Sequence, residues 1–176
     1  MIYNKLLSLI ENNSEVIAKK WKDEIKNSEY AETYKKLSDK ELITRANNVY
    51  KNLGKWLDRD TTMKEIGDEY VKIGKARYKE GFPLCEVQLA LHYTKKILWN
   101  HIISEGILTN ALEIFQALEL IVSIYNFFDI ASFYLIRGYQ EATYMEITKI
   151  KGLDKKKLME LFPSGSFFFE FNPDLY

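Results

Sequence analysis

A single cysteine, Cys85, leaves no partner within the chain, so an intramolecular disulfide is excluded. Histidine is nearly as scarce. The two histidines, His92 and His101, lie in neither Glu-x-x-His nor His-x-x-x-His, so the spacings that build di-iron or zinc sites on helices are missing. Net charge is absent as well: 25 basic residues balance 25 acidic ones, leaving no global field to draw in nucleic acid or an anionic membrane. The most apolar window, Leu120 to Ile136, covers 17 residues and contains Asn126 and Asp129, short of the roughly 20 a bilayer requires, and reads as a core helix. The opening MIYNKLLSLIENN turns polar too soon after Ile10 for a signal peptide, which points to the cytoplasm. A Gly-rich phosphate loop, a Gly-x-Ser-x-Gly elbow and a recognisable Cys/His spacing are all missing, so an enzyme is not expected.

What the sequence has in quantity is helical periodicity. At 176 residues it can bury about 70% of its unfolded surface in one core. Leu6, Ile10, Ile17, Trp21 and Ile25 follow a helical stripe that the polar Asn12-Asn13-Ser14 kinks or breaks. Ser38 with Glu41 forms a capping box that opens a helix at about residue 39, carrying Leu42, Ala46, Val49, Leu53 and Trp56. Thr62 with Glu65 opens the next, whose stripe Met63, Ile66, Tyr70, Ile73 leads to Arg77. Gly67 and Gly74 on its neighbouring face cost about 1 kcal/mol each inside a helix, which predicts close approach of another backbone. Gly81 fits a left-handed helix stop and Pro83 the first turn of the following helix.

That fourth helix carries two stripes, one of Leu84, Val87, Leu91, Thr94, Leu98 and His101 and another of Cys85, Leu89, His92, Trp99 and Ile103. A helix apolar on two faces is either central in its own fold or shared with a second chain. Gly106 ends it and Thr109 is placed to cap a fifth helix, from about Asn110 to at least Glu146. At roughly 1.5 Å per residue this helix exceeds about 50 Å, so a kink near Gly138 or a protruding end is expected. Residues 1–148 therefore form one helical domain, and 149–176 a lysine-rich link, a short helix and an aromatic tail. The tail's Phe167, Phe168, Phe169 and Phe171 have the β-propensity of a strand that must add to a partner chain, a swapped copy or a groove, with membrane contact a lesser reading.

Few side chains carry candidate chemistry. Cys85 near a helix N-terminus has the setting for a lowered thiol pKa, although a small buried hydrophobe is the commoner role. His92 on an apolar face is placed to ligate a haem in a globin-like fold, though packing is the commoner use of such a residue. Arg77 and Asp129 each interrupt an apolar stripe; Asp129 is either solvent-facing on a thin polar strip or buried and paired, and in the second case Arg77 is the expected partner, clamping the third helix to the fifth.

The run Gly74-x-x-Arg77-x-x-x-Gly81-x-Pro83-Leu84-x-Glu86-Val87-x-x-Ala90-Leu91 resembles the signature of the N-terminal domains of RsbRD-type proteins, the RsbT co-antagonist family. Ile17-x-x-x-Trp21 upstream and Phe128-Asp129 with Tyr139 downstream resemble the same framework, over roughly residues 5 to 145. The resemblance implies a helical domain that receives signals, commonly ahead of STAS, PAS or histidine-kinase modules, with dimeric, haem-free globin-like relatives. No such output segment follows in this sequence, which suggests a stand-alone module acting through a partner. The expectation is an all-α bundle or globin-like domain of five to six helices, homodimeric through a fourth- or fifth-helix face and without cofactor. The alternative is a hydrophobic-ligand or haem-binding protein with a pocket near His92 and Trp99.

Overall fold

The computed structural model describes residues 2–58, 60–106, 108, 110–150, 156, 157 and 160. Among them every regular element is helical, in the order α1 (Ile2–Asn12), α2 (Ser14–Asn27), α3 (Glu32–Lys35), α4 (Asp39–Lys51), α5 (Leu53–Leu57), α6 (Met63–Lys79), α7 (Leu84–Ser104) and α8 (Ala111–Ile147). The expected all-α class holds. The tail residues Phe167, Phe168, Phe169 and Phe171 lie outside the described residues.

Local chemistry sets most helix boundaries. The first stripe is two helices, broken at Asn13, whose side-chain amide donates to the Leu9 carbonyl at 2.8 Å. Both expected capping boxes form: Ser38 and Glu41 at α4, Thr62 and Glu65 at α6, each hydroxyl accepting from the glutamate amide while the carboxylate accepts from the cap amide. The α6–α7 corner is a Schellman stop. Gly81 sits at φ +79°, its amide donates to Tyr78 and the Phe82 amide donates to Arg77, while the Phe82 side chain tucks into the core.

Three expectations need correction. The stripe that ran unbroken to Trp56 is divided at Asn52 into α4 and α5, because Glu11 of α1 accepts the Gly54 amide at 2.8 Å and holds the chain in a new turn. At α8 the cap is Asn110, accepting from the Glu113 amide at 3.0 Å, in place of Thr109. α8 also runs unbroken through Gly138, which serves a close contact with α6 and marks no interruption.

The α6–α8 contact is the spine of the fold. A Cβ built on Gly74 would collide with the Leu135 carbonyl and lie 2.8 Å from the Tyr139 nitrogen; one built on Gly138 would collide with the Val71 carbonyl. The glycines thus let two backbones touch, which is what offsets their poor helix propensity. α7 is held from the other side. The Trp21 indole donates to the Ala90 carbonyl at 3.0 Å and the Tyr50 hydroxyl to the Thr94 carbonyl at 2.9 Å. Leu6, Ile10, Ile17, Ile25, Leu98 and Ile124 fill the space between.

α8 reaches further than the 17-residue window suggested, and by length and composition alone it is long enough and apolar enough to cross a membrane. A third of that apolar window is buried within the domain, including Leu120, Ile124, Phe127 and Phe128.

Among the buried titratable groups His101 has an ordinary pKa nearest neutrality, and it is 2% exposed. The Lys20 ammonium lies 3.3 Å from its Nδ1, and since an ammonium only donates, that nitrogen accepts and the neutral ring carries its proton on Nε2, which has no partner. Burial, then the Lys20 charge, lower its pKa from 6.5, against a smaller pull from Glu105. The unfolded imidazole therefore takes up a proton near 6.5 while the folded one resists, so stability falls as pH drops below about 6.5, by about 1.4 kcal/mol per unit of depression. Carboxyls held low, such as Glu80, act only below about 4.5. Between pH 7 and 5 the melting temperature of the parent should fall, and that of His101→Leu should stay nearly level; equal slopes would remove His101 as the cause.

Candidate functional site

Arg77 and Asp129 do not meet. The Arg77 guanidinium, in the last turn of α6, donates to Glu80 at 3.0 Å and lies over the Phe82 ring at 5.9 Å. Asp129 points outward, its side chain 72% exposed, with Lys95 of α7 at 3.6 Å. The expected clamp fails because α8 is apolar on its outer face too, so an acid amid its apolar residues need not be buried.

The second stripe of α7 is likewise a surface. Cys85 and His92 are exposed, and Leu89 and Trp99 are half-buried. Trp99 stacks on Tyr125 of α8, ring centroids 5.7 Å apart and planes 21° from parallel. His92 borders a pocket of about 140 Å³ with Gln88, Lys95 and Asp129, to which Trp99 does not contribute. Because Trp99 stands outside it, the expected common pocket at His92 and Trp99 is not formed. The expectation of an extra outward face on this helix describes the geometry better, with Ile103 at 72% exposure continuing it.

The polar groups gathered at a cavity are elsewhere, at the inner end of the Gly74–Leu91 motif. A space of about 90 Å³ lies between α2, α4, α6, α7 and α8, walled by Trp21, Tyr70, Val87, Ala90 and Leu135, with Tyr34, Arg45 and Arg77 also lining it. Arg45 donates through both of its terminal nitrogens to Glu80, at 2.9 and 3.3 Å, so two guanidinium groups share one carboxylate. Burial works against the ionised Glu80, but the Arg45 hydrogen bond and the charges of Arg77 and Arg45 outweigh it and hold the carboxyl below its usual range. Both guanidinium groups also lie over the Phe82 ring, Arg45 at 5.6 Å. Tyr34 packs on Phe82 with centroids 4.4 Å apart, and burial raises its phenol pKa while the Arg77 charge opposes.

The rest of the motif holds this corner in place. Glu86 is buried and its carboxylate accepts from the Thr33 amide at 2.8 Å, the Thr33 hydroxyl at 3.1 Å and the Tyr34 amide at 3.4 Å, capping α3 from another helix. The Tyr139 hydroxyl donates to the Phe82 carbonyl at 2.8 Å. Sequence reasoning missed Arg45 and Glu80. The signals were present: Glu80 stands three residues after Arg77, and Arg45 three after the stripe residue Leu42.

A wide open groove lies at the other end of the domain, lined by Tyr3, Leu7, Leu57, Leu118 and Val122 with Asp58, Asp60 and Glu119 among its walls. Among the described residues no group of three or more His, Cys, Asp or Glu side chains is gathered as a metal would require.

Residues 15–144 match the family model described as the RsbT co-antagonist protein rsbRD N-terminal domain. No curated protein matches the chain. No solved structure does either.

Proposed function

The chain belongs to the RsbT co-antagonist rsbRD N-terminal domain family, a regulatory family, and from that premise we propose that it is a non-catalytic, cytoplasmic signalling module that works as a homodimer and through protein partners. One observation supports the dimer above the rest. Along α8, Phe115, Leu118, Val122, Tyr125 and Phe133 recur at helical spacing, and all are exposed, Phe115 by 71% and Val122 by 56%. Two charges, Glu119 and Asp129, fall within this stretch. Trp99 against Tyr125 joins this stripe to the outward face of α7. Apolar patches of such length are uncommon on monomers and mark places where another surface docks. A second copy presenting the same stripe would cover it isologously.

In this reading the signal is a shift of packing between α7 and α8, with no bond made or broken, because a ligand or partner moves an equilibrium only by favouring one arrangement. Light scattering on the purified chain should give twice 20.8 kDa. Val122→Glu should give the monomer mass with unchanged far-ultraviolet dichroism, since it adds a charge to the stripe while leaving the core intact. A parent that stays monomeric at high concentration would overturn the dimer. A haem site at His92 has no support in the size of its pocket. Small-molecule binding is favoured elsewhere, by the cavity beside Arg45 and Arg77.

A further inference from the structure

We infer that the cavity behind Arg45 and Arg77 is a binding site for a small monocarboxylate with a short apolar tail, and that Glu80 is its built-in plug. The argument begins with charge. Two guanidinium groups at the mouth, with side chains 23% and 15% exposed, share a single carboxylate as hydrogen-bond partner beside an apolar interior, with Glu41 feeling the Arg45 charge from one turn away. Arginine holds carboxylates through paired parallel donors, and Arg45 already engages Glu80 in that way.

Glu80 is held by the two arginines from the edge of the site. It is the C-terminal cap residue of α6 and its side chain is 38% exposed, so water is open to it on one side. An incoming carboxylate can take its place on both arginines, while a free glutamate side chain cannot extend into the space behind them and fill it.

Size and lining then set the class of the tail. The space is about 90 Å³, against about 150 Å³ for an engineered apolar cavity that takes benzene, so it fits three or four carbons and not a fatty acid. Its walls are the rings of Trp21 and Tyr70 and the small or branched side chains of Ala46, Val87, Ala90 and Leu135. The Trp21 indole and the Tyr50 and Thr94 hydroxyls nearby are already spent on backbone carbonyls, so they offer no donor to a second polar group on the tail. A dicarboxylate or a hydroxy acid would place an unpaired polar atom there, at a cost of about 1–3 kcal/mol.

The position gives binding a consequence. The site touches α2, α4, α6, α7 and α8 together, and its two arginines lie over the ring of Phe82 in the corner that links α6 to α7. Occupancy would separate Glu80 from both arginines and so loosen that corner. The binding step itself does not depend on whether the chain dimerises, and the two are read by different measurements.

The probe is sodium butyrate, titrated by calorimetry and by amide chemical shifts at constant ionic strength, with acetate, butanol and octanoate as comparators. Butyrate is expected to bind at least tenfold more tightly than acetate, butanol or octanoate, with shifts centred on Ala46, Ala90 and Phe82. Glu80→Gln, which weakens the plug, is expected to bind butyrate at least threefold more tightly. Arg77→Met should weaken binding at least tenfold, and Ala46→Leu, which fills the space without touching the arginines, should abolish it while helicity is kept. Butanol binding as well as butyrate, or Ala46→Leu binding as the parent does, would overturn the site, as would saturation shifts confined to the surface around His92.

Discussion

Replacing Gly138 with alanine is expected to lower the melting temperature by about 8 °C, although alanine is the better helix former. The new Cβ would collide with the Val71 carbonyl oxygen and lie 2.7 Å from its Cα and 2.8 Å from its carbonyl carbon, all backbone atoms that no rotamer change can move. Propensity returns about 1 kcal/mol, while overpacking of this kind costs about 1–3 kcal/mol and more where backbones must part. A net loss of about 2–3 kcal/mol corresponds to that shift in a chain of this length. Gly74→Ala, facing Leu135 and Tyr139 backbone atoms, should behave alike. The pair together should cost less than the sum, because helices already parted admit the second methyl. Gly67→Ala is the control: the atoms nearest its Cβ belong to the Tyr134 ring, at 2.8 Å, and that half-buried side chain can turn aside. Calorimetric melts of the four variants decide the matter, and a Gly138→Ala protein as stable as the parent would mean that the two helices are not in backbone contact.

The second large effect falls on Glu86. Glu86→Ala should cost about 3 kcal/mol in urea unfolding, because it strips the partner from the amides of Thr33 and Tyr34 and from the Thr33 hydroxyl at once. These amides belong to the first turn of α3, where the helix cannot satisfy them itself, and Ala31 at the cap has no side chain that could. Glu86→Gln should lose about half as much, since one acceptor oxygen remains and the other becomes a donor facing donors. Tyr34 sits on Phe82 within this turn, so Glu86→Ala should also broaden the amide signals of the α6–α7 corner. Equal stability of Glu86→Ala and the parent would show that α3 is held by packing alone.

Both effects bear on what the sequence made legible. Helix starts at Ser38 and Thr62 and the stop at Gly81 could be read directly, because each is a device closed within a few residues. Gly74 could be read as a close approach, though not against which helix; of the kink or protruding end expected for α8, the kink near Gly138 gave way to a close contact with α6, since a glycine's partner lies elsewhere in the chain. The break at Asn52 was hidden because Glu11, some forty residues earlier, helps to make it. Arg77 needed a partner, and the nearer Glu80 supplied it, whereas Asp129 could not be placed because periodicity cannot distinguish a buried face from an apolar face left in solvent. Glu86 stood out only through the family resemblance; that a carboxylate on α7 caps a helix more than fifty residues earlier has no signature in spacing.

The glycine contact has a mechanical side. Gly138 lies 27 residues from the start of α8 and 9 from its end, roughly 40 Å and 14 Å along the axis. Where two backbones touch, neither helix can slide past the other by small repacking of side chains, so the contact acts as a fulcrum and α8 as an unequal lever. A displacement at the end of the short arm is magnified about two- to threefold at the exposed Phe115 and Leu118 of the long arm.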